Sequence, residues 1–571
     1  MTKLLKYLSE YKKESVLGPL FKLLEALFEL FVPLVVAQII DRGIAGNDYG
    51  YILKMCSVLL MLAIVGLACS ITAQFFAAKA AVGFSTKLRY VLFSHIQSFS
   101  HSEIDKAGTS TLITRMTSDI NQVQSGVNLF LRLFLRSPFV VFGAMIMAFT
   151  IDFKSALVFA GAIPVLAAVI FAIMLITMPL YKKTQKALDG VLLRTRENIT
   201  GARVIRAFGV EDAETEAFCE NNGILISMQK FVGRISSLMN PLTYVIINAA
   251  VILLIYVGAV RVNVGALTQG EVVALYNYMS QILVELIKLA NMIITLTKSL
   301  ACANRIQEVF ETQNTINDGT KTEGTGTDIA VEFKNVSLVY SQGAEPAIEG
   351  VKFKAMRGET IGIVGGTGAG KTTLINLIPR FYDVTCGTVE VDGTDVREYN
   401  TKALRKKIGV VPQKAVLFKG TIRENLKWGG EDITDEDLDE AVEAAAASEV
   451  IDGKGGYDCE TEQGGGNFSG GQRQRLTIAR ALAKRPEILI LDDSASALDF
   501  ATDAKLRQSI RSLEYKPTVF VVSQRASSVM HADKIIVLED GVVAGIGTHD
   551  ELIKNCNVYS EIYYSQFEKE M

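Results

Sequence analysis

Six apolar stretches within the first 305 residues, each long enough to cross a bilayer, constrain this chain more than any other feature. A hydrocarbon core needs about 20 residues of helix, and the stretches lie near 17–40, 52–80, 128–150, 155–180, 237–260 and 271–300. Composition agrees: 49% hydrophobic residues and a mean hydropathy of +0.28 are high for a soluble protein. Between the stretches, two intervals of about 81–127 and 181–236 are long, polar and helix-compatible, which predicts helical extensions beyond the membrane. The other connections, near 41–51, 151–154 and 261–270, are short. A length of 571 residues exceeds one core and predicts several domains.

Lys and Arg gather before the first stretch (Lys3, Lys6, Lys12, Lys13) and in the long intervals, Lys87, Arg115, Lys182 and Arg203 among them. The short connections hold only Arg42, Lys154 and Arg261. The positive-inside rule then places both termini and both long intervals in the cytoplasm, in a multi-pass protein of the cell membrane. A net charge of −3 and a pI near 6.0 give no whole-chain argument for nucleic acid. The seven cysteines are scattered without a C-x-x-C pair, so structural zinc and a disulfide framework are not expected. Met1 to Lys13 lacks the pattern of a cleavable signal peptide.

Several charges fall at membrane depth: Lys22, Glu25 and Glu29 in the first stretch, Arg132 and Arg136 in the third, Glu285 and Lys288 in the sixth. Facing lipid, each would cost about 2.5–3.5 kcal/mol at mid-helix. They are expected to face the bundle or a wet cavity, as ion pairs between helices or as the lining of a substrate path. Spacing by four puts Glu25 with Glu29, and Arg132 with Arg136, on shared helix faces.

Beyond residue 310 the character changes. Residues 311–328 are polar and rich in Thr and Gly and read as a linker between a transmembrane domain, 1–310, and a soluble domain, 329–571. Strand-like alternation begins at Ile329, and strand and helix patterns then alternate to the end, predicting an α/β nucleotide-binding domain. Within it, Gly365-Gly366-Thr367-Gly368-Ala369-Gly370-Lys371-Thr372, followed by Thr373, is a complete G-x-x-x-x-G-K-[ST] loop. Its backbone N–H groups are suited to phosphate oxygens, Lys371 to the β/γ-phosphates of ATP, and the Thr372 hydroxyl to Mg²⁺. Thr360 to Val364 reads as the buried strand feeding the loop, and the helix after it points its positive end at the phosphates. Ile488 to Leu491 reads as a second buried strand ending in Asp492, placed to hold Mg²⁺ directly or through water. Tyr340, about 25 residues before the glycine loop, is a candidate to stack on a purine ring.

With Ser469-Gly470-Gly471-Gln472 and the run Arg473 to Arg480 after it, the chain resembles an ABC transporter half-molecule of the type IV exporter fold over essentially its whole length. The resemblance implies an α-helical transmembrane domain of six spans with long cytoplasmic extensions, plus a C-terminal α/β P-loop ATPase domain. It implies that Gln413 is the glutamine touching Mg²⁺ and the membrane-domain loops, that Ser496 to Asp499 form the D-loop, and that Thr461 to Gly466 are a variant of the loop preceding the signature. Coupling helices are expected near Glu103–Gly108 and Gly209–Glu216. In this family two nucleotide domains pair head to tail, so the Ser469–Gln472 signature serves the nucleotide of the opposite subunit.

The chain departs from the family in two places. Asp493 stands where a hydrolytic member has Glu, and Gln524 where it has His. The first shortens a base by one methylene; the second has no titratable proton. In the signature region only Phe468, in place of Leu, is changed. These residues imply the degenerate half of a heterodimeric exporter: an ATP hydrolase coupled to transport, slow at its own nucleotide, moving amphiphiles, lipids or peptides. An importer of metal chelates, or a nucleotide-gated regulator or channel, is the alternative.

Overall fold

The computed structural model describes residues 3–340, 343–430 and 432–567, with the side chains of Ala495 and Ser496 outside that set. The chain divides into two compact units, one of residues 1–97 with 109–312, the other of residues 98–108 with 313–571.

The first unit holds six helical runs long and apolar enough to cross a membrane: Leu4–Ile44, Tyr49–Gln97, Thr109–Ile151, Phe153–Thr200, Glu211–Asn263 and Gln269–Glu311. They are referred to below as the first to sixth spans. The polar intervals are helical, as predicted, so the spans do not stop at the apolar boundary. The fourth and sixth open at polar caps. The Asp152 carboxylate accepts from the Ser155 N–H at 2.8 Å to open the fourth span, and Arg261 donates to the same carboxylate at 2.5 Å. Thr268 and Glu271 form a reciprocal capping box that opens the sixth. Small residues let the first two spans approach closely: Ala73, Ala77, Ala80 and Ala81 are buried, and a Cβ on Gly18 would stand 3.3 Å from the Ala77 nitrogen.

Six of the membrane-depth charges form two ion-pair groups, one around Arg136 and one between Lys22 and Glu25. Arg136 donates one terminal nitrogen to Glu285 and the other to Glu29, the latter at 2.6 Å. Ser137 and Lys288 each donate to Glu285 at 2.8 Å. Lys22 donates to Glu25 at 2.5 Å. Between the helix ending at Leu133 and the next one, Arg136–Ile151, Phe134 and Leu135 keep right-handed helical φ/ψ, so Arg132 and Arg136 stay about one helical turn apart, as their spacing predicts. Pro138 follows two residues into that helix, where an absent N–H is tolerated. Among the described residues Arg132 takes no part in these pairs, and its buried Nε has no hydrogen-bond partner.

The second unit is built on two sheets. A four-stranded antiparallel sheet has the order β2 (Ile348–Met356), β1 (Ile329–Leu338), β4 (Cys386–Val391), β5 (Thr394–Asp395). A six-stranded sheet has the order β12 (Val542–Gly547), β11 (Lys534–Glu539), β3 (Thr360–Gly365), β10 (Thr518–Ser523), β9 (Ile488–Asp492), β6 (Ile408–Val411). Its neighbours are parallel except for the β11–β12 pair. A small ribbon pairs β7 (Gly420–Thr421) with β8 (Glu460–Thr461). β1, β3 and β9 lie where the sequence predicts them, and β9 and β10 are buried along their whole length, as parallel strands covered on both faces must be.

A short helix, α1 (His101–Ala107), lies in the second unit, although its residues fall between the second and third spans in sequence. The His101 ring stacks on Phe381 with centroids 4.2 Å apart, and Asp105 accepts from the Tyr382 hydroxyl at 2.6 Å. It occupies the first of the two stretches proposed as coupling helices. The second stretch spans a turn in the first unit, where Gly209 takes a φ of +62° and Phe208 is exposed.

Candidate active site

Four parallel neighbours, β3, β10, β9 and β6, release their chains at the same edge of the sheet, the place where open α/β sheets take ligands. From β3 comes the glycine loop, from β6 Gln413, from β9 Asp492 and Asp493, and from β10 Gln524. With Tyr340, they line a cavity of about 360 Å³ that also includes Thr367 to Thr373.

The loop ends in α2 (Lys371–Asn376), and its cradle requires glycine at Gly370, where φ is +90° and a Cβ would come within 2.6 Å of the Ala347 carbonyl oxygen. Gly365 and Gly366 are not among the residues that line the cavity, and both of their carbonyls accept from Lys371 Nζ, at 2.9 and 2.6 Å. Burial lowers the Lys371 pKa, while Asp493 and Asp492 pull it back up. The Thr372 hydroxyl lies 3.1 Å from each carboxylate oxygen of Asp492. Burial raises the Asp492 pKa, and the neighbouring Asp493 charge adds to the rise.

A buried carboxylate beside a hydroxyl, with Gln413 lining the same cavity, is a hard-oxygen donor set of the kind Mg²⁺ prefers. These residues fit the ion. Bound there with ATP, it would neutralise charge on the β and γ oxygens. Gln413 Nε2 stands 3.4 Å from Asp493 Oδ2, so the predicted Mg²⁺ ligand and the predicted base are adjacent. Asp493 itself has a φ of +45°, held by an N–H bond to the Val522 carbonyl at 3.0 Å. Tyr340 is half exposed at the rim, its hydroxyl 3.0 Å from the Thr373 hydroxyl and its ring edge-on to Tyr382 at 5.1 Å.

Ser469 to Gln472 stand apart from this cavity and open α3 (Gly470–Leu482). Ser469 and Gln472 form a reciprocal capping box. The Phe468 ring is buried in the core, with the Lys454 ammonium 5.2 Å from its centre. The substituted residue is thus a packing residue, and the exposed Ser469 is left with its helix-opening geometry intact.

Two features of the site carry no sequence motif. Tyr382 bridges from Tyr340 to Asp105 of α1. Gln566 makes two bonds to the segment after β10, at Gln524 and Ala526. Both depend on tertiary proximity across 277 and 42 positions, so no local spacing signals them.

The geometry defines a P-loop ATPase domain joined to a six-span membrane domain. Residues 15–286 match the ABC transporter transmembrane region and residues 348–496 match the ABC transporter domain. An uncharacterized ABC transporter ATP-binding protein of Mycobacterium tuberculosis is 35% identical over 98% of this chain and 97% of its own length. An ATP-dependent lipid A-core flippase of Desulfotalea psychrophila is 34% identical over 84% of each. The structure of a bacterial Atm1-family ABC exporter with ATP bound superposes with a TM-score of 0.81 at 22% identity, covering 98% of this chain and 99% of that one. The chain belongs to the ABC transporter family: it is a multi-pass membrane half-transporter with the exporter fold, whose ATPase domain couples ATP hydrolysis to transport.

Proposed function

We propose that this chain is the degenerate-site half of a heterodimeric exporter, binding Mg-ATP durably and hydrolysing it slowly. The observation that carries the reading is the pair Asp493 and Gln524 at the mouth of an otherwise complete nucleotide site. In this reading Lys371, Thr372 and the loop 365–373 hold the phosphates, Thr372, Gln413 and Asp492 hold Mg²⁺, and Tyr340 stacks on the base. A general base must stand within about 2.6–3.2 Å of the proton it takes. Asp493 is one methylene short of Glu, and its backbone is fixed by the Val522 bond, so the main chain does not make up the reach. Gln524 keeps a hydrogen bond for the γ-phosphate but carries neither proton nor charge.

Ser469, Gly470, Gly471 and Gln472 supply the lid for the partner's nucleotide. Two copies of this chain would pair two weak bases; a partner with Glu and His gives one slow and one fast site. ATP bound between the domains favours their closure because it contacts both. Closure moves amphiphilic cargo out of the cytoplasm, with both termini on the cytoplasmic face of the cell membrane. The similarity to a lipid A-core flippase supports cargo with an apolar body.

The test is assembly. Purified alone in nanodiscs, the chain should show little steady-state ATPase; the complex drawn from native membranes by a tag on this chain should turn over and contain a second half-transporter. Robust turnover by the solitary chain would overturn the heterodimer.

A further inference from the structure

A cavity of about 460 Å³ opens between the first and second spans, in the range of small-molecule sites. Phe28, Val32, Leu59, Leu62 and Leu67 give it apolar walls, and Glu25, Glu29, Ser70 and Arg136 are its polar lining. We propose that this cavity is a cargo site for a hydrophobic organic cation, with Glu29 and Glu25 as its counter-charges; the proposal rests on the exporter reading above.

The charge accessible from the cavity decides the class. Three cations and three carboxylates make up the two groups, so the total is balanced: Lys22, Arg136 and Lys288 against Glu25, Glu29 and Glu285. They are not equally reachable. The side chains of Lys22 and Arg136 are only 8% and 6% exposed. The Lys22 ammonium and the terminal Arg136 nitrogens are turned to Glu25, Ser70, Glu29 and Glu285, and Arg136 Nε, which has no hydrogen-bond partner among the described residues, is buried out of reach. Lys288 is outside the lining. Glu29 is 41% exposed and Glu25 17%. Each gives one carboxylate oxygen to its cation, Oε2 in both cases, and among the described residues the other oxygen has no protein partner.

Pro33 adds to this, because it has no N–H to offer the carbonyl of Glu29 four residues earlier. An anion entering the cavity would meet carboxylates in front of covered cations. A hydrophobic cation would bury its body on the apolar walls and face unused acceptor oxygens. Carboxylates at membrane depth that face a cavity are expected to meet a cation there.

The probe is tetraphenylphosphonium, with tetraphenylborate as an anion of matched size and shape. Binding is measured by equilibrium dialysis on the tagged complex in nanodiscs, with empty nanodiscs subtracted. Tetraphenylphosphonium should bind saturably and tetraphenylborate should not. Glu25→Gln with Glu29→Gln should weaken tetraphenylphosphonium binding about tenfold or more, the scale of a lost charge-assisted contact. Gly66→Leu should do the same without touching any charge, because Gly66 lines the cavity and a Cβ there meets nothing within 4 Å, so the added side chain takes up space that the cation would occupy.

Binding that ignores both variants, or equal binding of the two ions, would overturn the site. So would stimulation of ATPase by neutral triphenylphosphine oxide with no tetraphenylphosphonium bound, a result that leaves the exporter reading standing. ATP-driven accumulation of tetraphenylphosphonium in inside-out vesicles supports both readings. Accumulation only in right-side-out vesicles would overturn export and keep the site.

Discussion

Gln566 holds Gln524 by the main chain: its Nε2 donates to the Gln524 carbonyl oxygen at 2.9 Å, and its Oε1 accepts from the Ala526 N–H at 2.9 Å. The side-chain amide thus spans the segment in which the family places its γ-phosphate contact. Gln566→Leu removes both bonds, each worth about 0.5–1.5 kcal/mol net. The Ala526 amide should then exchange its hydrogen about five- to tenfold faster, measured by mass spectrometry on the full chain. Gln566→Glu should give an intermediate rate, because it still accepts from Ala526 but can no longer donate to Gln524.

The stack of His101 on Phe381 makes the second unit acid-sensitive. Burial, and then the Arg405 charge, lower the His101 pKa below its ordinary 6.5, with Asp105 opposing weakly. A folded-state value below the unfolded one means that the unfolded chain takes up the proton first as pH falls. The stabilisation is therefore full above about pH 6.5 and is lost as pH drops through the folded value. Between pH 7.5 and 5.0 the wild-type chain in nanodiscs should lose more melting temperature than His101→Phe, which keeps the ring and removes the titration. Parallel losses in the two would refute the assignment.

The signature and the base of this chain should separate in a mutant series. Ser469→Ala removes the capping bond to the Gln472 N–H and a hydroxyl at a helix start, and Gly471→Val adds bulk where even a Cβ lies 3.1 Å from the Ala497 carbonyl oxygen. Both should slow ATPase of the complex by tenfold or more, on the order of 1.4 kcal/mol of barrier. Asp493→Asn should change it less than about twofold, since little turnover depends on this half-site. Equal losses would mean that the active site is not the partner's.

Much of this arrangement is legible in the chain, and its limits have physical causes. The spans, the glycine loop and β9 announce themselves because each rests on local pattern: apolar length, phosphate geometry and continuous burial. The helical breaks at Leu133 and Asp152 are half legible, Asp152 as a cap and Leu133 only through the Pro138 that follows. The spacing of Arg132 and Arg136 gives their shared helix face but not which of the two meets carboxylates, a matter of tertiary packing. The links from Tyr382 to Asp105 and from Gln566 to Gln524 are silent in sequence, since ordinary polar residues acquire a role only when the fold brings them together.

Asp493→Glu with Gln524→His should raise hydrolysis at this chain's own nucleotide. The Glu restores one methylene of reach and the His a titratable contact, and a positioned general base is typically worth 10²–10⁴-fold, or about 3–5 kcal/mol. The backbone at residue 493 limits the gain. Its φ of +45° lies in the left-handed region, where Asp is among the better-tolerated residues, so Glu should give back about 1 kcal/mol through strain or a shift of the turn. Gln413, 3.4 Å from the present carboxylate, must also move aside for the longer arm. A net gain of about tenfold is expected, read as single-turnover hydrolysis in a complex whose partner site is silenced by Glu→Gln. Adding Gln413→Ala should not enlarge that gain if Gln413 is an Mg²⁺ ligand, and should enlarge it if Gln413 only crowds residue 493. No gain from the double substitution would place the limit across the interface, in the signature contributed by the partner, rather than in Asp493 and Gln524.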